Sequence, residues 1–247
     1  RIEAIESFAA DVAHELKNPL TSLRSAVETL PRARNEESRG RLMAVIQHDV
    51  RRLDRLISDI SDASRLDAEL ARNDSAPVDV GQVLNAVVAI QNETRRDGQA
   101  MIELSSDRRN QRLGDDAFLV LGHDSRIGQV LVNLIDNARS FSPPDKPVKV
   151  MLSRVANDVL VTVEDEGPGI EPHALERIFE RFYTDRPDEG FGQNSGLGLS
   201  ISRQIIEAHR GSIRAENRLG PVGEDGEAQR LGARFIVCLP AAYAHAA

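Results

Sequence analysis

Three residues with reactive side chains open the chain. In Phe8-Ala-Ala-Asp-Val-Ala-His14-Glu15-Leu16-Lys17-Asn18-Pro19-Leu20, Glu15 adjoins His14 and Asn18 follows four positions later. An imidazole in water near pH 7 is largely neutral and therefore nucleophilic. The adjacent Glu15 is a candidate to take up the ring proton. Asn18 falls one helical turn from His14, on the same face. Pro19 lacks a backbone N–H and should bend a helix beside the histidine. A solvated histidine on a helix is often only that, but a proline inside an otherwise strong helix weakens the plain reading.

Three more clusters follow. Asn133 and Asn137 stand four apart in Asn133-Leu-Ile-Asp136-Asn137-Ala-Arg139. Two mediocre helix formers stacked on one face are either a polar surface or a ligand site. Their amide oxygens suit Mg²⁺, which binds through few protein groups plus phosphates. Asp165-Glu166-Gly167-Pro168-Gly169 ends an apolar run with a carboxylate and a glycine-rich turn. That is an ordinary turn, or an acceptor for an exocyclic amine such as adenine's with backbone closing around the base. Ser195-Gly196-Leu197-Gly198-Leu199 leads small residues into a helix, where N–H groups can meet phosphate oxygens. The stretch 180–195 before it is polar and carries Gly190 and Gly192, as expected of a lid.

Elements must hold these clusters. An apolar stripe at three- and four-residue spacing runs from Phe8 to Leu30, stops at Pro31–Asn35 and resumes from Leu42 to Leu70. It predicts two helices, the second over Glu36–Leu70. Their apolar face is too wide for a hairpin alone, so either a second copy completes a dimeric four-helix bundle or the hairpin packs on the downstream region. If the former, Leu53 and Leu56 belong to the seam. Further on, helices are expected at 83–97, 125–141 and 196–209. Strands are expected at 100–104, 148–155, 159–164, 212–216 and 233–239, with Asn157 and Asp158 turning the second hairpin. Adjacent hairpin strands with interspersed helices give an α+β sandwich. The expected organisation is 1–72 helical, 73–77 linker and 78–247 sandwich.

Composition narrows the function. Against 39 Asp and Glu stand 31 Lys and Arg, a net charge of −8, which argues against nucleic acid as a partner. The single Cys238 excludes an internal disulfide framework. No apolar run approaches a membrane span, and a chain beginning at Arg1 reads as a fragment lacking its upstream part. There is no P-loop, no strand-borne G-x-G-x-x-G, no protein-kinase motif set and no zinc spacing.

Taken in order, the clusters resemble the sensor histidine kinases of two-component systems over about residues 3–240. His14 to Leu20 resembles the family's H box, Asn133 to Asn137 its N box and Asp165-x-Gly167-x-Gly169 its first glycine box. Phe179-Glu-Arg-Phe182-Tyr183 resembles its F box, and Gly196-Leu197-Gly198-Leu199 its second glycine box. The wording Asn137-Ala-Arg-Ser-Phe-Ser-Pro is similar to the envelope- and acid-responsive, ChvG/BvrS-like kinases of alphaproteobacteria. The resemblance implies a homodimeric phosphotransfer hairpin followed by a Bergerat-type ATP-binding sandwich. It also implies ATP and Mg²⁺ as cofactors and the receiver domain of a response regulator as partner. The fragment would be the cytoplasmic part of an inner-membrane protein. His14 would accept the γ-phosphoryl group, with Glu15 as base and Asn18 positioning water for dephosphorylation of the regulator. Asn137 would ligate Mg²⁺, Asn133 support the phosphates and Asp165 bind the adenine amine, with Gly167, Gly169 and Phe182 shaping the site. Gly196, Leu197, Gly198 and Leu199 would hinge the lid and donate N–H groups. Many members carry Lys where this chain has Ser140, so the cation that meets the phosphates is open, with Arg139 beside it. A stand-alone ATPase of the gyrase, Hsp90 and MutL class would share the ATP clusters without the His14 motif. A non-catalytic scaffold would have no need of intact ATP ligands.

Overall fold

The computed structural model describes residues 2–70, 75–107, 117–183, 196–222 and 228–243. Contacts divide the chain into two compact units. The first is Arg1–Glu69 with Glu180–Gly198, and the second is Leu70–Phe179 with Leu199–Ala247.

In the first unit, α1 (Ile2–Thr29) and α2 (Glu36–Leu70) are joined by a 3₁₀ turn at Leu30–Arg32. Pro31 opens that turn, where a missing N–H costs nothing. The Asn35 side chain then caps α2 by accepting from the Ser38 N–H at 2.8 Å. Ala26 and Leu56 are buried within the hairpin, whereas Leu20, Val27, Val45, Val50 and Ile57 are 40–55% exposed. Leu56 therefore belongs to the hairpin's own interior, because the two helices bury one part of the wide stripe and leave the other. Among the described residues no helix is long and apolar enough to cross a membrane.

The second unit carries a five-stranded sheet in the order β2-β4-β5-β7-β6. Its strands are β2 (Ile102–Ser106), β4 (Val148–Val155), β5 (Asp158–Glu164), β6 (Ser212–Val222) and β7 (Ala228–Pro240). Only the β2–β4 pair is parallel. Helices α3 (Val80–Glu93) and α4 (Asp124–Phe141) pack against it, and α5 (Gly198–Ala208) follows the second glycine cluster. Alternate residues of the inner strands, among them Val148, Val150, Val161, Val163, Phe235 and Val237, face the core almost wholly buried. Each such aliphatic side chain contributes about 1.5–3 kcal/mol.

Several expectations are adjusted. A second, two-stranded sheet pairs β1 (Ala76–Asp79) with β3 (Leu119–Gly122), each too short to show a period in the sequence. Ala76 and Pro77, expected in the linker, are strand residues here, while residues 73–74 lie outside the described part. Helix α3 begins at Val80 because the Asp79 carboxylate caps it, accepting from Gly81 and Gln82. The hairpin turns at Ala156, which has positive φ, and Asn157, leaving Asp158 in the strand. Of the segment 180–198, expected in the sandwich, the described residues are 180–183 and 196–198. Most of it, including Gly190, Gly192 and Ser195, lies outside the described residues.

Candidate functional site

On α1, His14 and Asn18 are exposed and Pro19 is buried. Glu15 turns toward α2, where its Oε2 accepts from Arg52 Nη2 at 3.0 Å, each side chain less than a quarter exposed. The sequence placed Glu15 beside the imidazole. The hairpin gives it a cation instead, because adjacent helical residues diverge by ~100° and only Glu15 faces the partner helix.

In the second unit, Asn137, Asp165 and Gly169 line one recess with Phe141, Ile170 and Phe235. Asp165 directly follows β5 and is 2% exposed. Its Oδ1 accepts from the Gly167 and Ala233 N–H groups, both at 2.9 Å, and its Oδ2 has no protein donor among the described residues. Burial pushes this carboxyl above the usual aspartate range, opposed by those two hydrogen bonds and by the charge of Arg218. A buried carboxylate held by one oxygen presents the other to a donor that the protein does not supply. The half-buried Asn137 amide likewise makes no side-chain hydrogen bond among the described residues; its backbone carbonyl accepts from Ser140 Oγ at 2.6 Å. Asn133 is committed, donating to Ser202 Oγ at 3.3 Å and so tying α4 to α5.

Gly167 lies too close to Phe141 and Asp165 Oδ1 to carry a side chain. The turn beyond it is held by Asn217 of β6, whose amide accepts from the Ile170 N–H and donates to the Ile170 carbonyl, both at 2.7 Å. Arg230 of β7 adds a hydrogen bond to the same carbonyl and an ion pair to Glu171. Arg218 holds the Asp165 carbonyl at 2.8 Å and pairs with Glu164. Asn217, Arg218 and Arg230 carry no motif and lie some 50–60 residues away, so pattern reading missed them.

Arg139 answers the question of the neighbouring cation. It is 9% exposed and donates to the carbonyls of Ala100 and Gln91 and to the side chains of Gln91 and Asn92. Those bonds clamp α4 onto α3 and the residues just before β2, and burial lowers the guanidinium's pKa. Arg139 is structural and is withdrawn from the phosphates.

Of the F box, Phe179 is core, edge-on to Phe235 and covered by the Arg203 guanidinium 5.4 Å away. Phe182 and Gly196 meet each other: the Phe182 N–H donates to the Gly196 carbonyl at 2.9 Å, and both have positive φ. A Cβ at Gly196 would press on the Phe182 backbone at 2.8 Å. The contact needs a left-handed conformation that only glycine takes cheaply at position 196. Leu197 is buried, and Gly198 and Leu199 already belong to α5, so of the two glycines the left-handed joint is Gly196 alone.

His209 supplies a pH-sensitive joint at the start of α4. The ring is buried, its Nδ1 meets the Ile205 carbonyl at 2.7 Å and its Nε2 accepts the His123 N–H at 3.1 Å. Those partners assign the Nδ1–H tautomer. Burial chiefly, with the neighbouring His123, pushes the pKa below 6.5, against the raising effect of the Ile205 bond. With the folded pKa depressed, the contribution is present above ~6.5 and is lost as pH falls through the folded value. Thermal melts of the chain should therefore drop between pH 7.5 and 5.5, and His209→Gln should flatten that drop. Equal pH dependence in the variant would exclude His209 as its source.

Two family models match. Residues 4–69 match the His Kinase A (phospho-acceptor) domain, and residues 122–243 match the histidine kinase-, DNA gyrase B- and HSP90-like ATPase. Sensor protein ChvG of Agrobacterium fabrum is 59% identical over 99% of this chain and 40% of its own length. Sensor protein ChvG of Rhizobium meliloti is 60% identical over 98% of this chain and 41% of its own. The chain thus spans about two fifths of the length of these curated relatives. The crystal structure of histidine kinase ThkA in complex with response regulator protein TrrA superposes with a TM-score of 0.69. That match covers 98% of this chain and 63% of that one at 24% identity, a likeness of fold.

Proposed function

The chain belongs to the sensor histidine kinases of two-component systems, carrying their phospho-acceptor and ATP-binding regions, and from that membership we propose that it phosphorylates its own His14 and passes the group to an aspartate of a response regulator. One observation carries the reading. Asp165 and Asn137 share a recess in which each keeps polar atoms uncommitted, so the recess suits a ligand bearing both an amine and a metal-phosphate group. Asp165 Oδ2 accepts from the adenine amino group while Gly167 and Gly169 let backbone close on the base. Asn137 offers a hard amide oxygen to Mg²⁺, which neutralises phosphate charge when bound. Among the described residues there is no cluster of three His, Cys, Asp or Glu for a metal. An ion held there would be completed by phosphate oxygens and water, as is usual for Mg²⁺. Asn133 supports this site, and Phe182, Gly196, Leu197, Gly198 and Leu199 match the remaining family motifs assigned to ATP.

In the transfer, one ring nitrogen of exposed His14 attacks the γ-phosphorus as the bond to the β–γ bridging oxygen breaks. ADP leaves with that electron pair, and the proton on the other ring nitrogen passes to Glu15. The phosphorylated imidazole then donates to the regulator's carboxylate, restoring His14. The exposed part of the α1–α2 stripe is the seam with a second copy. Sedimentation of the chain should show a dimer and Ile57→Asp a monomer; a monomeric parent would remove the bundle.

The same helical turn supports a phosphatase activity toward the regulator, because the Asn18 amide can hold a water in line with an acyl phosphate. Asn18→Ala should keep most autophosphorylation and transfer yet lose the ability to speed decay of the phosphorylated regulator in the presence of ADP. Circular dichroism controls for distortion at Pro19. Decay as fast as with the parent would leave Asn18 a polar helix residue. We propose further that the whole protein is a membrane sensor with this region on the cytoplasmic side.

A further inference from the structure

The hairpin wholly or partly buries the charged side chains of Glu15, Asp49 and Arg52, of which the reaction above uses one. Arg52 holds Glu15 through Nη2, but its Nε is buried without an acceptor. One turn earlier on α2, Asp49 is 6% exposed and its Oδ2 is buried without a donor. Among the described residues, these two atoms are the only buried side-chain nitrogen or oxygen left without a partner. They carry opposite charge and belong to residues at i and i+3, a spacing at which helical side chains meet. A buried charge left unpaired is costly, so complementary vacancies one turn apart call for a state in which they are filled.

We propose that Arg52 is a positioning residue with two acceptors, which gates Glu15 in the phosphorylation of His14. On Glu15, the guanidinium keeps the carboxylate turned into the hairpin, away from the outward imidazole. On Asp49, it fills both vacancies and releases Glu15 to receive the proton that leaves the His14 ring. The exchange swaps one carboxylate for another, so neither state strands the guanidinium, and the two can lie close in free energy. The backbone is prepared for it. Pro19 has no N–H to offer the Glu15 carbonyl four residues earlier, which loosens α1 at the side chain that has to move. The antiparallel register set by the Glu15–Arg52 pair also brings Asp49 level with Asn18 and Pro19. The gate sits beside the turn that serves both reactions.

The inference rests on Glu15 being the base, and Glu15→Gln tests that separately. Near-parent autophosphorylation in Glu15→Gln would remove the base and the gate together. With Glu15→Gln inactive, the gate is judged on the full chain by the phosphorylation rate at saturating ATP. Asp49→Asn should slow it about tenfold, the weight of one charge-assisted hydrogen bond. KM for ATP should be unchanged. Arg52→Gln should match or exceed the parent rate, and the double variant Asp49→Asn/Arg52→Gln should recover it, which a merely structural Asp49 could not produce. Asp49→Glu, keeping the charge, should stay near the parent and decides the matter should Asp49→Asn fail to fold. An unaffected Asp49→Asn, a slow Asp49→Glu, an Arg52→Gln as inactive as Glu15→Gln, or a double variant as slow as Asp49→Asn would each overturn the gate.

Discussion

His14→Gln should abolish incorporation of phosphate from ATP while leaving ATP affinity at the parent value. Asn137, Asp165, Gly167 and Gly169, which are assigned to the adenine and the metal, lie in the second unit, and His14 is an exposed residue of α1 in the first. Glutamine keeps the polarity and helical tolerance of the position but has no basic nitrogen to attack phosphorus. The loss is therefore chemical and complete, and a titration with a fluorescent nucleotide separates it from binding. A matched fall in affinity would mean that His14 serves the pocket itself.

The second large effect is expected from a residue outside every motif. Gly232 in β7 has φ of 138°, and a Cβ built there would overlap the Asp165 carbonyl oxygen. The next residue, Ala233, holds Asp165 twice: its carbonyl accepts from the Asp165 N–H at 3.0 Å, and its N–H donates to Oδ1. Gly232→Ala must displace one strand from the other, adding ~1–3 kcal/mol of backbone strain to the overlap. The displacement falls on the carboxylate that faces the recess. ATP affinity should drop at least about tenfold, with a lower melting temperature. Asp165→Asn should weaken binding by ~1–3 kcal/mol with the fold retained, since it alters only the buried acceptor. Parent-like affinity in Gly232→Ala would show that the β5–β7 crossing does not position Asp165.

Much of this was legible in the residues, for identifiable reasons. The second helix carried its own start in Pro31 and the Asn35 cap, and β4 alternates over its first five residues, Val148 to Leu152. Asp165, Asn137 and the glycines stood out because turn and amide chemistry is local. What stayed hidden depends on partners far away in the chain. Arg139 read as a free cation next to a phosphate site until α3 and the Ala100 carbonyl supplied its four acceptors. Glu15 read as His14's neighbour, whereas Arg52, 37 positions later, turns it inward. Asn217 holds Ile170 across 47 positions by copying a strand's pair of hydrogen bonds with one amide, which no spacing rule announces. The four-residue strands β1 and β3 give too few residues for alternation to register.

The most direct measurement incubates the chain with γ-labelled ATP and Mg²⁺, tests the linkage by acid and alkali, and maps the labelled peptide. The label should be acid-labile and alkali-stable, reside on the peptide containing His14, and move to an aspartate when a cognate receiver domain is added. Label that is acid-stable, maps elsewhere or persists in His14→Gln would contradict the central claim that this hairpin is the phospho-acceptor for the ATP site of the same protein.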